Sequence, residues 1–195
     1  MKQRVMIMCA ALALATAPAW AQSSKAGQSK GGTAAKSATS TKAGATADMA
    51  FAKEAAIGGM AEVDLGNLAK QNASSPDVKQ FGDRMVTDHS KGNDELKQWA
   101  SSHNVTLPTE LDVKHKTIKD RLSKLNGDAF DKAYMKAMVS DHKEDVAKFR
   151  TESKSGKNAD LKAWAGKTLP TLEDHLKMAE ATASKVGATG ATKKK

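Results

Sequence analysis

The sequence predicts an all-α protein in which four long helices form a bundle and a short extra helix lies in the connection between the second and the third. Apolar side chains recur every three or four residues along most of the chain, which is the spacing of one face of a helix. Stretches that alternate apolar and polar residues, as strands do, are absent from the sequence. Four long helices with one apolar face each can bury those faces by packing into a bundle.

Caps and helix breakers set the predicted boundaries. Ser75 and Pro76 are an N-cap followed by proline at the first helical position. The sequence Asn126-Gly127-Asp128 ends one helix and caps the next. The long helices are predicted at about 48–72, 76–103, 128–154 and 159–184, and the short helix at about 110–125. The connection over 104–127 is long enough to cross the bundle from end to end, which allows the second and third long helices to run parallel.

Each long helix carries an apolar stripe that is expected to face the core. The first stripe contains Ile57, Ala61, Leu65 and Leu68, and the second contains Val78, Phe81, Met85, His89, Leu96 and Trp99. The third contains Tyr134, Met138, His142, Val146 and Phe149, and the fourth contains Leu161, Trp164, Leu172, His175 and Ala179. Pro170 is expected to kink the fourth long helix or to split off its first turns. Three of the four stripes include a histidine.

The first 21 residues have the form of a secretory signal peptide. Lys2 and Arg4 precede an apolar run over 5–17, and Ala19-Trp20-Ala21 is a small-x-small cleavage site. The run is too short for a stable transmembrane helix, and no later stretch approaches ~20 apolar residues. We therefore expect export to the periplasm. The one cysteine, Cys9, lies inside this signal, so the mature chain would contain no disulfide.

Three further segments are predicted after the signal peptide. Residues 22–47 contain Ser, Thr, Gly, Ala, Lys and Gln without a larger aliphatic side chain, and are predicted to be a disordered linker. Residues 48–184 are predicted to form the bundle, and residues 185–195 a disordered basic tail.

The net charge of +9 is concentrated outside the predicted bundle. Residues 48–184 carry 21 basic and 22 acidic side chains, whereas a nucleic-acid-binding domain needs its basic excess on the folded surface. Nucleic-acid binding is therefore not predicted. The lysine-rich linker and tail predict at most a weak contact with an anionic envelope surface. Their alternative role is to keep a low-complexity segment soluble.

A phrase that ends in histidine occurs twice, 53 residues apart. Phe81 to His89 and Tyr134 to His142 share an aromatic residue, a methionine four residues later, then valine, a hydroxyl residue, aspartate and histidine. At ~100° per residue the aromatic, methionine and histidine share one helix face. A third Asp-His pair ends in His175.

Counting from the predicted turns places these histidines at similar depths. Glu62 lies 12 residues before Ser74 and His89 lies 15 after it, while His142 lies 14 before Gly156 and His175 lies 19 after it. At ~1.5 Å per residue all four reach neighbouring layers near the middle of the bundle. Three imidazoles and a carboxylate are ligands for Zn, Fe, Mn or Cu. His89, His142, His175 and Glu62 are therefore the candidate metal ligands.

Other interpretations of these residues remain open at this stage. Buried histidines that pair with carboxylates also hold bundles together without any metal. Met85, Met138 and Met178 lie one turn from their histidines and would suit copper, yet methionine on a helical stripe is usually core packing. Asp88, Asp141 and Asp174 flank the histidines at about 100° and are candidate hydrogen-bond partners for neighbouring imidazoles. His103 and His115 are expected to be solvated.

The sequence supports an enzyme less than it supports a metal-binding or a structural protein. A dinuclear carboxylate site uses Glu-x-x-His on two helices, but Val86, Val139 and Leu172 stand three residues before the histidines. No nucleophile with a base, phosphate loop or cofactor fingerprint is present in the sequence. An enzyme therefore ranks third among the hypotheses.

Several motifs resemble the DUF4142 family of exported bacterial proteins. These motifs are Gly59-Met60-Ala61-Glu62-Val63, Ser74-Ser75-Pro76-Asp77-Val78-Lys79, Arg84-Met85-Val86-Thr87-Asp88-His89 and Lys167-Thr168-Leu169-Pro170-Thr171-Leu172-Glu173-Asp174-His175-Leu176. The resemblance covers about 48–182. It implies export and a ferritin-like bundle, and it implies no biochemical function.

Two functional hypotheses follow from the sequence. The leading hypothesis is an exported, periplasmic ferritin-like binding module that holds a transition metal through the core histidines. The alternative is a non-enzymatic envelope or stress protein in which the same histidines only stabilise the bundle. Protein partners are not predicted.

Overall fold

The structure is a computed structural model that describes residues 34–188. It contains five helices, α1 (Ala34–Asn72), α2 (Pro76–Ser102), α3 (Val113–Leu122), α4 (Gly127–Ser155) and α5 (Ala159–Lys185). No strand occurs within this part of the chain. The all-α prediction is confirmed, and the helices α2 to α5 begin and end within three residues of the predicted boundaries.

The four long helices form two antiparallel hairpins, α1 with α2 and α4 with α5. Helix α1 packs on α4 and α2 packs on α5. At one end of the bundle the Asp48 carboxylate accepts hydrogen bonds from the backbone N–H groups of Lys157 and Asn158. At the other end Asp131 accepts from the backbone and hydroxyl of Ser74. These contacts show that α1 and α4 are antiparallel.

Ion pairs along the α2 and α5 helices show that these two are antiparallel as well. Glu95 pairs with Lys167 at 2.9 Å, and Asp77 pairs with Lys185 at 2.8 Å. Helices α2 and α4 therefore run parallel, as the length of their connection allows. The short helix α3 lies in that connection and packs on α1 and α4.

Local interactions explain where several helices begin. Asp112 caps α3 by accepting a hydrogen bond from the backbone N–H of His115, and Asn158 caps α5 in the same way through Leu161. Pro170 lies inside α5, which continues to Lys185 without being divided. Pro170 is exposed, so the carbonyl group that loses its helical partner can be hydrated.

Helix α1 begins 14 residues before the predicted start at residue 48. It therefore includes residues 34–47, which the sequence analysis assigned to the linker. Six of these 14 residues are alanine, the residue with the highest helix propensity, and they extend a helix that the following apolar face has nucleated. The predicted signal peptide, the rest of the linker and residues 189–195 lie outside the described residues. No described helix is long and apolar enough to cross a membrane.

The apolar core consists of two clusters at opposite ends of the bundle. The cluster nearer the α1–α2 turn includes Leu65, Phe81, Met85, Phe130, Tyr134 and Met138, and the cluster nearer the α4–α5 turn includes Phe51, Leu96, Trp99, Phe149, Leu161 and Leu172. Every long helix carries a polar residue between its contributions to the two clusters, and these residues are Glu62, His89, His142 and His175. A polar layer therefore crosses the middle of the bundle.

Helices α1 and α2 approach each other most closely at two glycines. A Cβ atom on Gly66 would lie 2.7 Å from the carbonyl oxygen of Gly82, and a Cβ atom on Gly82 would lie 2.8 Å from the carbonyl oxygen of Gly66. Because both obstacles are backbone atoms, neither can rotate away. The spacing of this hairpin thus depends on the absence of side chains at both positions.

We expect Gly66→Ala to lower the free energy of unfolding by about 1–3 kcal/mol, the usual cost of overpacking. Gly92→Ala is the matched control, since a Cβ atom at Gly92 meets nothing within 4 Å. That control should gain about 0.5–1 kcal/mol from improved helix propensity. Urea denaturation followed by circular dichroism measures both values, and equal stability of the two variants would contradict the proposed close contact.

Candidate metal centre

Three histidine rings meet in the polar layer. The ring centroids are 5.7 Å apart for His89 and His142, 5.2 Å for His89 and His175, and 5.4 Å for His142 and His175. One ring nitrogen of each residue lies within 4.8 Å of the corresponding nitrogens of the other two. The three candidate histidine ligands predicted from the sequence thus come together, each from a different helix.

The repeated phrase explains how α2 and α4 position their histidines. Met85 and Met138 are fully buried in the cluster nearer the α1–α2 turn, and each histidine lies one helical turn further along the same face. Because α2 and α4 are parallel, both histidines are displaced from that cluster in the same direction. His175 reaches the same layer from the antiparallel helix α5.

Hydrogen bonds fix the tautomers of two of the imidazoles. Nδ1 of His142 lies 3.0 Å from the backbone carbonyl oxygen of Met138, and Nε2 of His175 lies 2.9 Å from Oδ2 of Asp88. Carbonyl and carboxylate oxygens only accept, so these two nitrogens carry the protons. The lone pairs are therefore on His142 Nε2 and His175 Nδ1, and Asp88 has the partner role that the sequence suggested.

Each histidine retains one buried ring nitrogen without a hydrogen-bond partner. These atoms are His89 Nε2, His142 Nε2 and His175 Nδ1. His89 as a residue keeps some exposed surface, but its Nε2 is shielded from solvent. Buried polar atoms are normally satisfied, and three orphaned nitrogens in one cluster require an explanation. His142 and His175 show the arrangement of a metal-bound histidine, with one ring nitrogen held by a protein oxygen and the other free to bind an ion.

All three imidazoles are neutral near pH 7. Burial lowers the pKa of His142 to about 4, and the neighbouring His175 adds to this effect. Burial also lowers the pKa of His89 well below its usual value, with further contributions from His142 and His175. For His175 burial outweighs the opposing effect of Asp88, so its pKa falls as well. Neutral imidazoles offer the lone pairs that a metal ion needs.

Glu62 lies on the other side of His142. It is fully buried, and its Oε1 is 3.5 Å from Nδ1 of His142, the protonated nitrogen. Carboxylate oxygens of Glu62, Asp141 and Asp145 lie within 4.8 Å of one another and form a second group, which we call the acidic group. The structure thus brings Glu62 next to the histidines, but on the side of His142 away from the unpartnered Nε2.

The carboxylates of the acidic group lie close enough to oppose one another's ionisation. Burial raises the pKa of Glu62 well above its usual value, and the charges of Asp141 and Asp145 raise it further. Burial and the Asp141 charge raise the pKa of Asp145 to about 7. Burial opposes ionisation of Asp141 too, but polar contacts with His115 and Glu62 outweigh it, so its pKa falls to about 2. Ionisation is therefore favoured at Asp141 and disfavoured at Glu62 and Asp145.

Several other sequence predictions need correction or extension. His115 is buried, and its ring lies 2.6 Å from Asp112 and 3.8 Å from Asp141. His103 is only partly exposed and stacks on Trp99. The expectation of a solvated side chain is therefore wrong for His115, whereas His103 keeps 28% of its side chain exposed. Helix α3 packs on α4 and buries His115 there. Because α3 has only ten residues, its sequence shows too few helical turns to reveal which face is buried.

One flanking residue differs from what the sequence suggested, and one was missed. Asp174 is exposed and pairs with Lys177, so it does not contact a core imidazole. Asp145 was missed, although its spacing of three residues after His142 places it near the same helix face. Met85 and Met138 pack in the apolar cluster, with Met178 against it, which agrees with a core role.

The fold and the polar layer define a ferritin-like four-helix bundle with histidines across its middle. A model of one family, described as Domain of unknown function (DUF4142), matches residues 33–182. The chain belongs to the DUF4142 family. This confirms the resemblance noted in the sequence.

A solved structure supports the fold independently. The chain is similar to the crystal structure of a DUF305 protein from Streptomyces coelicolor, which is described as a candidate secreted protein. The TM-score is 0.63 at 12% identity, and the alignment covers 72% of this chain and 92% of the other. At that identity the likeness shows the fold alone. No curated protein matches the chain.

Proposed function

We propose that this protein is an exported metal-binding module that holds one transition-metal ion through His89, His142 and His175. The observation that supports the proposal is the set of three buried, unpartnered imidazole nitrogens contributed by three helices. Neutral imidazoles are suited to Zn, Cu, Fe or Mn, and the donor set alone does not select among these metals. Glu62 was a candidate fourth ligand; in this proposal it is not a ligand, because its Oε1 lies 3.5 Å from the opposite ring nitrogen of His142.

Export is part of the proposal. Its support is the form of the first 21 residues, together with the description of the structurally similar DUF305 protein as a candidate secreted protein. The lysine-rich segments predicted to contact an anionic envelope surface lie largely outside the described residues. Their role remains a prediction from the sequence.

The direct test is metal analysis of purified mature protein after incubation with Zn, Cu, Fe or Mn and removal of free ions. We expect about one tightly held ion per chain in the wild type and less than a tenth of that in the His89→Ala/His142→Ala variant. His103→Ala is the matched control, because His103 lies outside the cluster and should leave the metal content unchanged.

Two results would contradict the proposal. Wild-type protein that retains none of the four metals would favour the alternative, a non-enzymatic envelope protein with structural histidines. Equal metal content in the wild type and the double variant would place the ion elsewhere. Circular dichroism of every variant shows whether the bundle is still folded.

A further inference from the structure

A groove lies on the surface between α3 and the first half of α4. Its volume is about 370 Å³, within the range of ~300–1,000 Å³ that small-molecule sites occupy. Ile118, Ala133 and Ala137 form its apolar part. All three are half-buried and pack against the apolar cluster nearer the α1–α2 turn. The groove therefore offers apolar surface that the bundle itself does not cover completely.

Cationic side chains line the same groove, and two of them lack a carboxylate partner. Lys114, Lys116 and Lys119 on α3 each pair with a carboxylate. By contrast, neither Arg121 nor Lys136 forms an ion pair within the described part of the chain, and both line the groove. Both side chains are exposed, so a ligand in the groove can reach their nitrogen atoms. Their positive charge is therefore available to an anion.

The one carboxylate among the residues that line the groove is that of Asp141. It is buried, and its Oδ1 lies 3.7 Å from Nζ of Lys114, which offsets its charge. The charged side chains that line the groove and are exposed are all cationic, namely Lys114, Arg121 and Lys136. An excess of one charge along a groove attracts ligands of the opposite sign. An anionic group at Arg121 and Lys136 would thus meet cations instead of a free carboxylate.

We infer that the groove binds a single-chain anionic amphiphile, a long-chain alkyl carboxylate, with its head at Arg121 and Lys136. Guanidinium and ammonium groups donate charge-assisted hydrogen bonds to carboxylates. The alkyl chain covers Ile118, Ala133 and Ala137, and the removal of this apolar surface from water stabilises the complex. The inference goes beyond the metal site and is independent of it, because none of the three core histidines lines the groove.

The test is isothermal titration calorimetry of the mature protein with dodecanoate below its critical micelle concentration. We expect saturable binding to one site. Decanoate and octanoate should bind progressively more weakly, by about twofold to fourfold for each methylene removed, where the upper value corresponds to full burial of the methylene. Dodecyltrimethylammonium has the same alkyl chain and a cationic head, and it should bind at least tenfold more weakly than dodecanoate at low salt.

Two pairs of variants locate the bound amphiphile. Arg121→Gln/Lys136→Gln removes both charged donors and should weaken dodecanoate binding at least tenfold. Lys53→Gln/Lys154→Gln is its matched control, because both lysines are exposed and lie outside the groove.

Ala137→Leu fills part of the apolar surface of the groove. It should weaken dodecanoate binding about fourfold to fifteenfold, which corresponds to the loss of contact with one or two methylenes. Ala147→Leu makes the same substitution at an exposed position of α4 outside the groove and should leave the affinity unchanged. Circular dichroism shows whether each variant is folded.

Three results would overturn the inference. The first is a wild-type protein that does not bind dodecanoate. The second is equal affinity in the wild type and Arg121→Gln/Lys136→Gln, or equal affinity for the carboxylate and the trimethylammonium compound, since either would indicate adsorption elsewhere. The third is binding to vesicles of anionic phospholipid without binding of monomeric dodecanoate, which would indicate a bilayer surface as the partner. His89→Ala/His142→Ala should bind dodecanoate as the wild type does, so a failure of the metal proposal is distinguishable from a failure of this one.

Discussion

Saturating metal is expected to raise the thermal unfolding temperature of the wild-type protein by about 5–10 °C. A ligand that binds only the native state stabilises it by about 2.7 kcal/mol at a free concentration of 100 times Kd. In a domain of this size each 1 kcal/mol shifts Tm by about 2–4 °C. The three nitrogens come from α2, α4 and α5, so an unfolded chain cannot present them together.

Variants of the three histidines serve as controls for the metal-dependent rise in Tm. Differential scanning fluorimetry with and without a chelator should show no metal-dependent shift in His89→Ala/His142→Ala. His89→Leu should be as stable as the metal-free wild type or more stable, because it removes an unpartnered buried nitrogen and restores apolar contacts. With metal present the wild type should be the more stable of the two. A wild-type Tm that is insensitive to all four metals would contradict the prediction.

The second large effect is expected for Glu62→Gln in metal-free protein. The pKa of Glu62 is raised in the folded state by burial and by the charges of Asp141 and Asp145. The folded protein therefore holds a proton that the unfolded chain releases above a pH of about 4.5. Because the folded state holds this proton more tightly than the unfolded state, Glu62 is least destabilising below pH 4.5. The free energy of unfolding then falls as the pH rises above that value. Glutamine is uncharged at every pH and so places no negative charge beside the Asp141 and Asp145 carboxylates.

We expect the wild type and Glu62→Gln to have similar Tm values at pH 4, and the variant to become progressively more stable between pH 5 and 8. Thermal unfolding in the presence of a chelator measures the difference. Glu180→Gln is the control, since Glu180 is exposed and pairs with Lys143, and losing such a pair changes stability by less than about 1 kcal/mol. Parallel pH profiles for the wild type and Glu62→Gln would show that Glu62 is ionised in the folded protein.

The fold could be predicted from the sequence because its signals are local and repeated. Four apolar stripes identify the long helices, while Ser75, Pro76 and the Asn126 to Asp128 segment mark their ends. The start of α1 could not be predicted in this way, since residues 34–47 favour helix through alanine content and carry no apolar stripe. These residues have high helix propensity but lack the periodic apolar residues from which the other helices were predicted.

The histidines of the site were predictable and their carboxylate neighbours were less so. His89, His142 and His175 follow from periodicity and distance to the turns. Glu62 is buried because α3 and α4 pack on α1, and the same packing buries His115. Which carboxylate faces which imidazole is a tertiary property, and spacing along one helix does not determine it.

The position of the polar layer between two apolar clusters also restricts how the helices can align. If one helix slid by a turn, about 5.4 Å, its imidazole would enter hydrocarbon and an aliphatic side chain would face the remaining histidines. The displaced imidazole would be surrounded by apolar side chains, and a slide of α2 or α5 would also separate His175 from Asp88, so the misaligned bundle is disfavoured. A single buried polar residue can select one register in coiled coils, and here each of the four long helices carries such a residue between the two apolar clusters. The residues proposed to bind a metal would thus make the bundle select a single alignment even when no metal is bound.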